Sequence, residues 1–374
     1  MNKKVKVCHL SSVHFAIDTR IFFKQCKTLS NFYQVCLIAI HPIKENIEGI
    51  EIIPFKRYHN RKFRVFCSWF IMLIKALKVK AKIYHFHDPE LIPCGLILKA
   101  LGKKVIWDVH ENIADDIYDK HWIKYRKTAY YVFSFFEFLA CKSFYLILAE
   151  KSYLKRYEKK SRQISLVLNY CQIEFFEPHI KTEYKSNGNL FYIGILLENR
   201  GIIQILQAIK LLKDDGYNFH FHCVGELFSD LNNQIHALPF YDEIKGQLHF
   251  YGRKTLDKGY EIAKNMDIGM CLIWPMKNSM ESYPTKLFEY MAVGLPIITS
   301  NFPLYESVVL ENKVGYCVNP LEIESIKKSI LDIHNDVEKS KHMGYLGKNK
   351  VKELYSWDSE SAELIRVYSR LLGI

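Results

Sequence analysis

The chain has 374 residues, of which 49% are hydrophobic, and this is enough apolar material for two domains of ordinary size. That hydrophobic fraction excludes a globally disordered chain. The formal net charge of +12 favours anionic partners, such as nucleic acid, an acidic membrane surface or a phosphorylated substrate, although such a charge can also serve solubility alone.

The cysteines and the apolar runs indicate the compartment. Ten cysteines occur without a C-x-x-C pair, and several lie in apolar runs, where a free thiol behaves as a small hydrophobic group. The first six residues lead straight into a strand, so we expect no secretory signal. No apolar run reaches the roughly 18 to 20 residues that a membrane-spanning helix needs. We therefore predict a cytoplasmic protein in a reducing compartment.

The N-terminal half begins with alternating strands and helices. Strands are expected at 5–10, 35–40 and 50–54, with a helix that starts near residue 18. This alternation is typical of a parallel sheet covered by helices, in which ligands bind at the carboxyl ends of the strands. Candidate ligand contacts are therefore the polar side chains that follow the first strand: Ser11, Ser12, His14, Asp18 and Arg20.

Residues 60–82 form a basic and aromatic segment that is predicted to be an amphipathic helix. Its centre is the apolar run Trp69–Leu73, and four lysines lie towards its far end. One interpretation is a core helix with a solvated basic rim. The alternative is a contact with a cytosolic membrane surface, because basic amphipathic helices bind anionic lipid.

Histidines follow the next two predicted strands, at 82–86 and 104–109. The His-x-His spacing of His85 and His87 is compatible with a metal site, but no third-ligand pattern accompanies it, so we predict no metal. His110 lies just past a strand end, where ligands are expected, and precedes a loop rich in aspartate. That loop carries Asp115, Asp116 and Asp119.

The second half of the chain repeats the strand–helix alternation after a polar stretch at 171–188. Strands are predicted at 189–193, 218–224, 247–251 and 267–273. Two arginines occupy loop positions in this half: Arg200 lies at a loop–helix junction, and Arg253 follows a strand. One arginine can donate two hydrogen bonds to phosphate oxygens at once, so both residues are candidate diphosphate ligands. The alternative is that both are solvated surface charges. The histidines at 220 and 222 are interpreted as packing or solvated groups.

The stretch 279–300 is predicted to be loop, short helix, tight turn and strand. Pro284 suits a first helical turn, Gly294 suits a helix C-cap, and Pro296 prevents the helix from continuing. Residues 297–299 are then a buried strand.

Two carboxylates and a lysine occupy this stretch. Glu281 lies in the loop before the helix, Glu289 about one turn inside it, and Lys286 near the helix N-terminus. A helix N-terminus with an added lysine favours phosphate, and a nearby carboxylate can accept hydrogen bonds from vicinal hydroxyl groups of a sugar. Spacing alone leaves open that both glutamates are merely solvated.

This stretch resembles the E-x7-E motif of family 4 glycosyltransferases, in the version that carries a lysine (YPTKLFEYMAVGLPIITS). The N-terminal segments HLSSVHFAIDTRIFFKQCKTL, FHDPELIP and KKVIWDVHEN are similar to signatures of the same family. The resemblance implies a GT-B fold, α/β with two doubly wound Rossmann-like domains facing a cleft. It also implies that Glu289 binds the nucleotide ribose, that Glu281 faces the donor sugar and that His110 belongs to the donor-sugar or catalytic region.

The predicted domain boundaries follow from the two series of elements. Residues 1–170 form an N-terminal, acceptor-side domain, 171–188 a linker and 189–350 a nucleotide-sugar-binding domain. By the resemblance, residues 351–374 form a helix that packs back on the first domain. Family members carry a basic pair after the first strand of the second domain, and here Ile195 replaces its first member while Arg200 matches the second.

The resulting prediction is a retaining glycosyltransferase of the hexosyl or N-acetylhexosaminyl type. It takes a UDP- or GDP-sugar as donor substrate, uses no cofactor or metal, and acts on a glycan or lipid-linked acceptor in surface-polysaccharide synthesis. An anionic membrane surface at the inner face of the cell membrane is a further candidate partner, and nucleic acid is not expected. The alternatives are a nucleotide-sugar epimerase of the same fold and a non-catalytic protein that binds a membrane surface.

Overall fold

The computed structural model describes residues 4–110 and 125–374, so the predicted loop with Asp115, Asp116 and Asp119 lies outside the described residues. Residue contacts divide the chain into two compact units. The first consists of Met1–Asn169 with Trp357–Ile374, and the second of Tyr170–Ser356. The chain therefore leaves the first unit once and returns to it at the end.

The first unit contains an eight-stranded sheet in the order β3-β4-β2-β1-β5-β6-β7-β8. All neighbouring strands are parallel except the short hairpin of β3 and β4. The strands are β1 Lys6–Phe15, β2 Gln34–Ile40, β3 Glu45–Ile47, β4 Ile50–Phe55, β5 Ile83–Phe86, β6 Lys104–Val109, β7 Tyr145–Leu148 and β8 Ile164–Leu166.

Helices cover both faces of this sheet because its strands are apolar on both sides, as expected for a parallel sheet. The segment after β1 begins as a π-helix at Thr19–Cys26, and the Asp18 carboxylate caps it by accepting from two backbone N–H groups. The helices are α1 Lys27–Ser30, α2 Arg61–Val79, α3 Ile92–Ala100, α4 Arg126–Ser143, α5 Leu154–Tyr157 and, at the end of the chain, α16 Trp357–Leu372.

The second unit contains a six-stranded parallel sheet in the order β11-β10-β9-β12-β13-β14. The strands are β9 Asn189–Ile193, β10 His220–Val224, β11 Leu248–Phe250, β12 Ile268–Cys271, β13 Ile297–Ser300 and β14 Gly315–Val318. The helices are α6 Ile173–Phe176, α7 Ile202–Asp214, α8 Ser229–His236, α9 Tyr241–Ile244, α10 Leu256–Ala263, α11 Lys277–Glu281, α12 Lys286–Val293, α13 Pro303–Val309, α14 Ile323–His334 and α15 Val337–Leu354.

The stretch 171–188 belongs to the second unit. It contains α6, and the Lys181 side chain is buried against the Asp267 carboxylate and the carbonyl oxygen of Met266. Since these contacts fix the stretch to the second sheet, the boundary between the units falls at residue 169. None of the helices in the described part of the chain is both long and apolar enough to cross a membrane.

Candidate functional site

Both sheets reverse their strand order at one point, and this is where open α/β sheets bind ligands. In the second unit the reversal lies between β9 and β12, and in the first unit it lies between β1 and β5. The loops that leave the carboxyl ends of these four strands carry most of the residues predicted from the sequence.

The motif helix of the second unit is α12, which begins at Lys286 and ends at Val293, with Gly294 as its C-cap. Gly294 has a left-handed backbone (φ +79°), as a C-cap glycine requires. The backbone N–H groups of Leu287 and Phe288 donate to the carbonyl oxygens of Pro284 and Thr285, so the first turn is already partly closed. A ligand at this end would therefore depend on the Lys286 side chain more than on free N–H groups.

The Lys286 ammonium group lies at the end of β9. Its Nζ atom is 3.8 Å from the centre of the Tyr192 ring, a cation–π contact, and no acidic side chain in the described part of the chain pairs with it. A Cβ atom built on Gly194 would come within 3.0 Å of Nζ, so the glycine leaves the space beside the ammonium group open. An unpaired ammonium beside bare backbone suits an anionic ligand.

A second glycine brings the ends of β9 and β10 close together. A Cβ atom on Gly225 would lie 1.8 Å from the carbonyl oxygen of Gly194, which no side chain can tolerate. Glycine at this position therefore lets the two strand ends approach directly behind Lys286.

Glu289 is held by a residue that the sequence analysis missed. The hydroxyl group of Tyr260, on α10, donates to Glu289 Oε2 at 2.6 Å. Burial, together with the Glu289 charge, holds the pKa of Tyr260 well above its ordinary value, so its oxygen keeps the proton that it donates. No described residue donates to Oε1, which stays available for the hydroxyl groups of a ligand.

Lys286, Arg200 and Glu289 all act electrostatically on the buried thiol of Cys271 at the end of β12. Burial raises the pKa of this thiol, the two cations lower it, and Glu289 raises it. The structure thus brings these three predicted residues to one strand end. Arg253 is exposed beyond β11 and does not act on this thiol.

Glu281, which was predicted to lie in a loop, is the last residue of the short helix α11. Ile195, at the position of the missing basic residue, is 54% exposed after β9. The Tyr305 hydroxyl donates to the carbonyl oxygen of Ser279 at 2.6 Å and thereby fixes α11. The half-buried Glu281 carboxylate forms neither a hydrogen bond nor an ion pair with any described residue. It is therefore free to meet a ligand, but it does not contact Lys286 or Glu289.

The reversal point of the first unit contains a chain of closely spaced histidine and tyrosine side chains, which is buried except for the partly exposed His110. His110 Nε2 lies 3.2 Å from His87 Nδ1, and His87 Nε2 lies 3.0 Å from His9 Nδ1. His9 Nε2 is 3.0 Å from the hydroxyl oxygen of Tyr368, which is 2.9 Å from His85 Nδ1. Tyr368 lies on α16, so the C-terminal helix contributes one member of this chain of side chains. The other members lie on β1 and β5 or just after β5 and β6.

Asp108 anchors this chain with a negative charge. Burial opposes its ionisation, but Arg20, His110 and His87 together hold the pKa of the carboxyl group well below its ordinary value. Arg20 binds both carboxylate oxygens, at 3.1 and 2.8 Å, and Gln25 donates at 2.6 Å. Arg20, predicted as a ligand contact, is therefore committed to Asp108.

The ionised carboxylate of Asp108 determines the tautomers of the chain. A carboxylate only accepts, so His110 Nε2 at 2.8 Å and His87 Nδ1 at 3.2 Å both carry hydrogen. His87 Nε2 then accepts from His9. No described residue forms a hydrogen bond with His110 Nδ1.

The donors and acceptors of the remaining side chains in this chain follow from the same reasoning. His9 Nε2 accepts from the Tyr368 hydroxyl, whose oxygen accepts from His85 Nδ1–H. This leaves His85 Nε2 buried without a hydrogen-bond partner among the described residues, 3.9 Å from Asp108 Oδ2. Burial lowers the pKa of His9, His85 and His87, which keeps these three rings neutral.

Two groups of three side chains in this chain have metal-ligand chemistry: His9, His85 and His87, and His87, Asp108 and His110. The sequence analysis had found no third partner for His85 and His87. The His9 and His87 rings are nearly parallel (16°), with centres 5.2 Å apart and nitrogens 3.0 Å apart. This distance fits a direct N–H···N hydrogen bond between the two rings.

Asp88 holds the second half of β1, which was predicted to be a loop but continues the strand to Phe15 after a register shift beyond Leu10. Its Oδ2 atom accepts from the Ser11 hydroxyl at 2.8 Å and from the Ser12 backbone at 2.6 Å, and His14 Nε2 lies 3.6 Å from Oδ1. Ser11 and Ser12 are buried, and Asp18 caps the next helical segment. These predicted ligand contacts therefore fix the end of β1 and the start of the next helical segment, whereas His14 stays half-exposed.

Part of the second unit is similar to known sequences. Residues 175–350 match the family model described as "Glycosyl transferases group 1". The capsular polysaccharide biosynthesis glycosyltransferase CapM of Staphylococcus aureus is 21% identical over 187 residues, which are 50% of this chain and 47% of that protein. The chain spans about half the length of the first curated relatives that it matches.

Solved structures resemble the whole chain. Sucrose-phosphate synthase from Thermosynechococcus elongatus has a TM-score of 0.77 at 14% identity, with 99% of this chain and 100% of that chain covered. HepE from Anabaena, solved in complex with UDP-glucose, has a TM-score of 0.72 at 11% identity, with 98% and 99% covered. The predicted GT-B fold class, with two doubly wound units, is confirmed.

Proposed function

We propose that this chain is a retaining glycosyltransferase of the hexosyl or N-acetylhexosaminyl type. It would move the sugar of a UDP- or GDP-sugar to a glycan or lipid-linked acceptor in surface-polysaccharide synthesis. The match of the second unit to group 1 glycosyltransferases supports glycosyl transfer. The names of CapM, a capsular polysaccharide enzyme, and of HepE with UDP-glucose support the pathway class and the donor class.

The observation that carries the proposal is the unpaired Lys286 ammonium group beside Gly194, with Glu289 on the same helix. A diphosphate would meet the ammonium group at the strand end, where Arg200 adds a second positive charge. Glu289 Oε1 would accept from the two ribose hydroxyl groups, because Tyr260 already fixes the other oxygen. The family 4 assignment and the E-x7-E motif rest on this arrangement.

The remaining residues have roles in the same proposal. Glu281 would face hydroxyl groups of the donor sugar, and Arg253 would approach the diphosphate from the end of β11. His110 would present its Nδ1 lone pair to a substrate hydroxyl group. Lys286, Arg200 and Arg253 would stabilise the charge of the leaving diphosphate, so that neither a metal nor another cofactor is required. The enzyme would act in the cytoplasm at the inner face of the membrane.

The first test measures nucleotide binding by isothermal titration calorimetry with UDP and GDP. Glu289→Gln should weaken binding roughly tenfold to a hundredfold, because a hydrogen bond to a charged group contributes about 1.5–3 kcal/mol. Glu338→Gln on the exposed start of α15 is the matched control and should bind as the parent does. If neither nucleotide binds the parent at millimolar concentration, the proposal fails.

The second test separates transfer from its alternatives. The parent is incubated with radiolabelled nucleotide sugars and membrane extracts, and the products are separated and analysed by NMR. Label in a glycan or lipid with the anomeric configuration of the donor supports retaining transfer. Release of a free epimer or glycal without an acceptor would instead identify an epimerase, and binding without turnover would identify a binding protein.

A further inference from the structure

A cavity of 690 Å³ opens at the ends of β1, β2 and β4 in the first unit. This volume falls in the range of about 300–1,000 Å³ that is typical of small-molecule sites. Its walls are mostly apolar and include Phe15, Ile17, Ile40, Phe55 and Ile71. Phe15 and Ile17 are 50% and 45% exposed, so the cavity presents apolar side chains to any occupant.

The same cavity is lined by three cations, Lys56, Arg57 and Lys75. None of them pairs with an acidic side chain in the described part of the chain, and the Arg57 guanidinium lies over the Phe15 ring at 5.5 Å. The nearby carboxylate of Glu45 is bound to His41. An apolar cavity with a positive rim fits a ligand that joins an anionic group to a hydrocarbon chain.

Helix α2 connects this cavity to an apolar surface. Phe66 and Phe70 are 72% and 54% exposed, and they continue along one side of the helix as Ile74 and Leu77. Successive residues of a helix differ by about 100°, so Phe70 and the cavity residue Ile71 lie on neighbouring sides of α2. A stripe of this kind suits insertion into the surface of a bilayer.

Two neighbouring helices extend the apolar surface. The buried sides of α2, α3 and α4 share one core, so all three cover the same face of the sheet. On their outer sides, Ile97 of α3 and Tyr131, Phe135 and Phe138 of α4 are exposed. The five exposed aromatic rings named on α2 and α4, with lysines among them, match the interfacial region of an anionic membrane.

We propose that the cavity binds the phosphate group and the adjoining hydrocarbon of a polyprenyl-phosphate-type membrane lipid, while α2 and α4 rest on the bilayer. The cations would bind the phosphate, and the apolar walls would hold the first part of the chain. The proposal rests on the glycosyltransferase function only in making this lipid the carrier of the acceptor. It assigns the lipid to the first unit, apart from the nucleotide site of the second.

The test is flotation of the full chain with three kinds of vesicle. They contain phosphatidylcholine alone, phosphatidylcholine with a C55 polyprenyl monophosphate, and phosphatidylcholine with phosphatidylglycerol at matched surface charge. The parent should bind the polyprenyl phosphate vesicles at least about fivefold more tightly than the phosphatidylglycerol vesicles. The surface charge acts equally on both, whereas only the polyprenyl phosphate would enter the cavity, where each cation contributes about that factor. Equal binding to both would overturn the proposal.

Three variants locate the binding. Arg57→Ala with Lys75→Ala should remove the preference for polyprenyl phosphate, whereas Lys78→Ala, on the same helix but outside the cavity, should retain it. Ile17→Trp fills the cavity without a change of charge, and should also remove the preference while keeping the binding to phosphatidylglycerol. A preference that survives Ile17→Trp, or that millimolar inorganic phosphate abolishes, would contradict the proposed lipid site.

Nucleotide titrations distinguish this proposal from the proposed function. All of these substitutions lie in the first unit, and UDP or GDP binding is measured without vesicles. Loss of lipid preference with intact nucleotide binding supports two separate sites. Absence of nucleotide binding in the parent would refute the proposed function while leaving the vesicle result to decide the lipid site.

Discussion

The buried histidines of the first unit should make its stability depend on pH, and His85→Asn tests this. The His85 ring is fully buried. This burial, together with the neighbouring His9 and His87, holds the pKa of the ring well below its ordinary value, and the opposing effect of Asp108 is smaller. The stabilising effect of a histidine with a lowered pKa is complete above the unfolded value of about 6.5 and is lost as the pH falls. Acid should therefore weaken this unit.

The magnitude follows from proton uptake by the unfolded chain. If one ring stays neutral in the folded state, protonation of the unfolded chain between pH 7 and pH 5 lowers the free energy of unfolding by about 2 kcal/mol. Asparagine retains an N–H donor for the Tyr368 oxygen but does not titrate. The cavity that it leaves lowers stability at every pH, so the difference between the two pH values isolates the titration.

The assay is urea unfolding followed by tryptophan fluorescence at pH 7 and pH 5. It uses a Trp274→Phe background, in which the four remaining tryptophans all fall within the residues of the first unit. His85→Asn should lose about 2 kcal/mol less than its parent over this range. His59→Asn, at an exposed position, should match the parent. If His85→Asn also matches the parent, the buried ring is not neutral and the proposed tautomer chain is wrong.

Three further substitutions test other contacts. Gly225→Ala should destabilise the second unit by more than about 3 kcal/mol in urea unfolding, because the added Cβ atom would lie 1.8 Å from a backbone oxygen. The control Gly246→Ala, at a position with open space, should not cause this loss of stability. Tyr260→Phe should keep the fold but weaken UDP or GDP binding about threefold to tenfold by calorimetry, and unchanged affinity would refute its role in orienting the motif glutamate. Asp108→Asn should destabilise the first unit by about 3–5 kcal/mol in the same unfolding assay, because it leaves the buried Arg20 charge uncompensated; a loss below 1 kcal/mol would contradict the ion pair.

Local patterns predicted most of the secondary structure but not every boundary. The predicted strand at 189–193 is observed unchanged as β9, whereas the predicted strand at 267–273 is shortened to Ile268–Cys271. Strand ends depend on which neighbour pairs with them, and a sequence pattern does not contain that information. The hairpin strand β3 was missed because its three residues have no apolar alternation.

The amino-acid sequence by itself determined the alternation of strands and helices, the glycine and proline positions around α12, and the presence of two glutamates and a lysine in one short segment. These features depend on periodicity and on caps, which act over a few residues. Only the tertiary structure decided which distant side chains meet. The Tyr260 hydroxyl group contacts Glu289, which is 29 positions away in the sequence, and His9 contacts His87, which is 78 positions away. A parallel sheet, with the helices that connect its strands, places residues side by side that are far apart in the chain.

The tertiary structure also decided which polar residues stay available to a ligand. Arg20 and Arg200 are both arginines after a first strand of a doubly wound sheet, and nothing in the local pattern separates them. Arg20 is buried against Asp108, whereas Arg200 has no acidic partner among the described residues. The difference arises because a buried charge needs a partner, and only the folded packing shows which partner each charge finds.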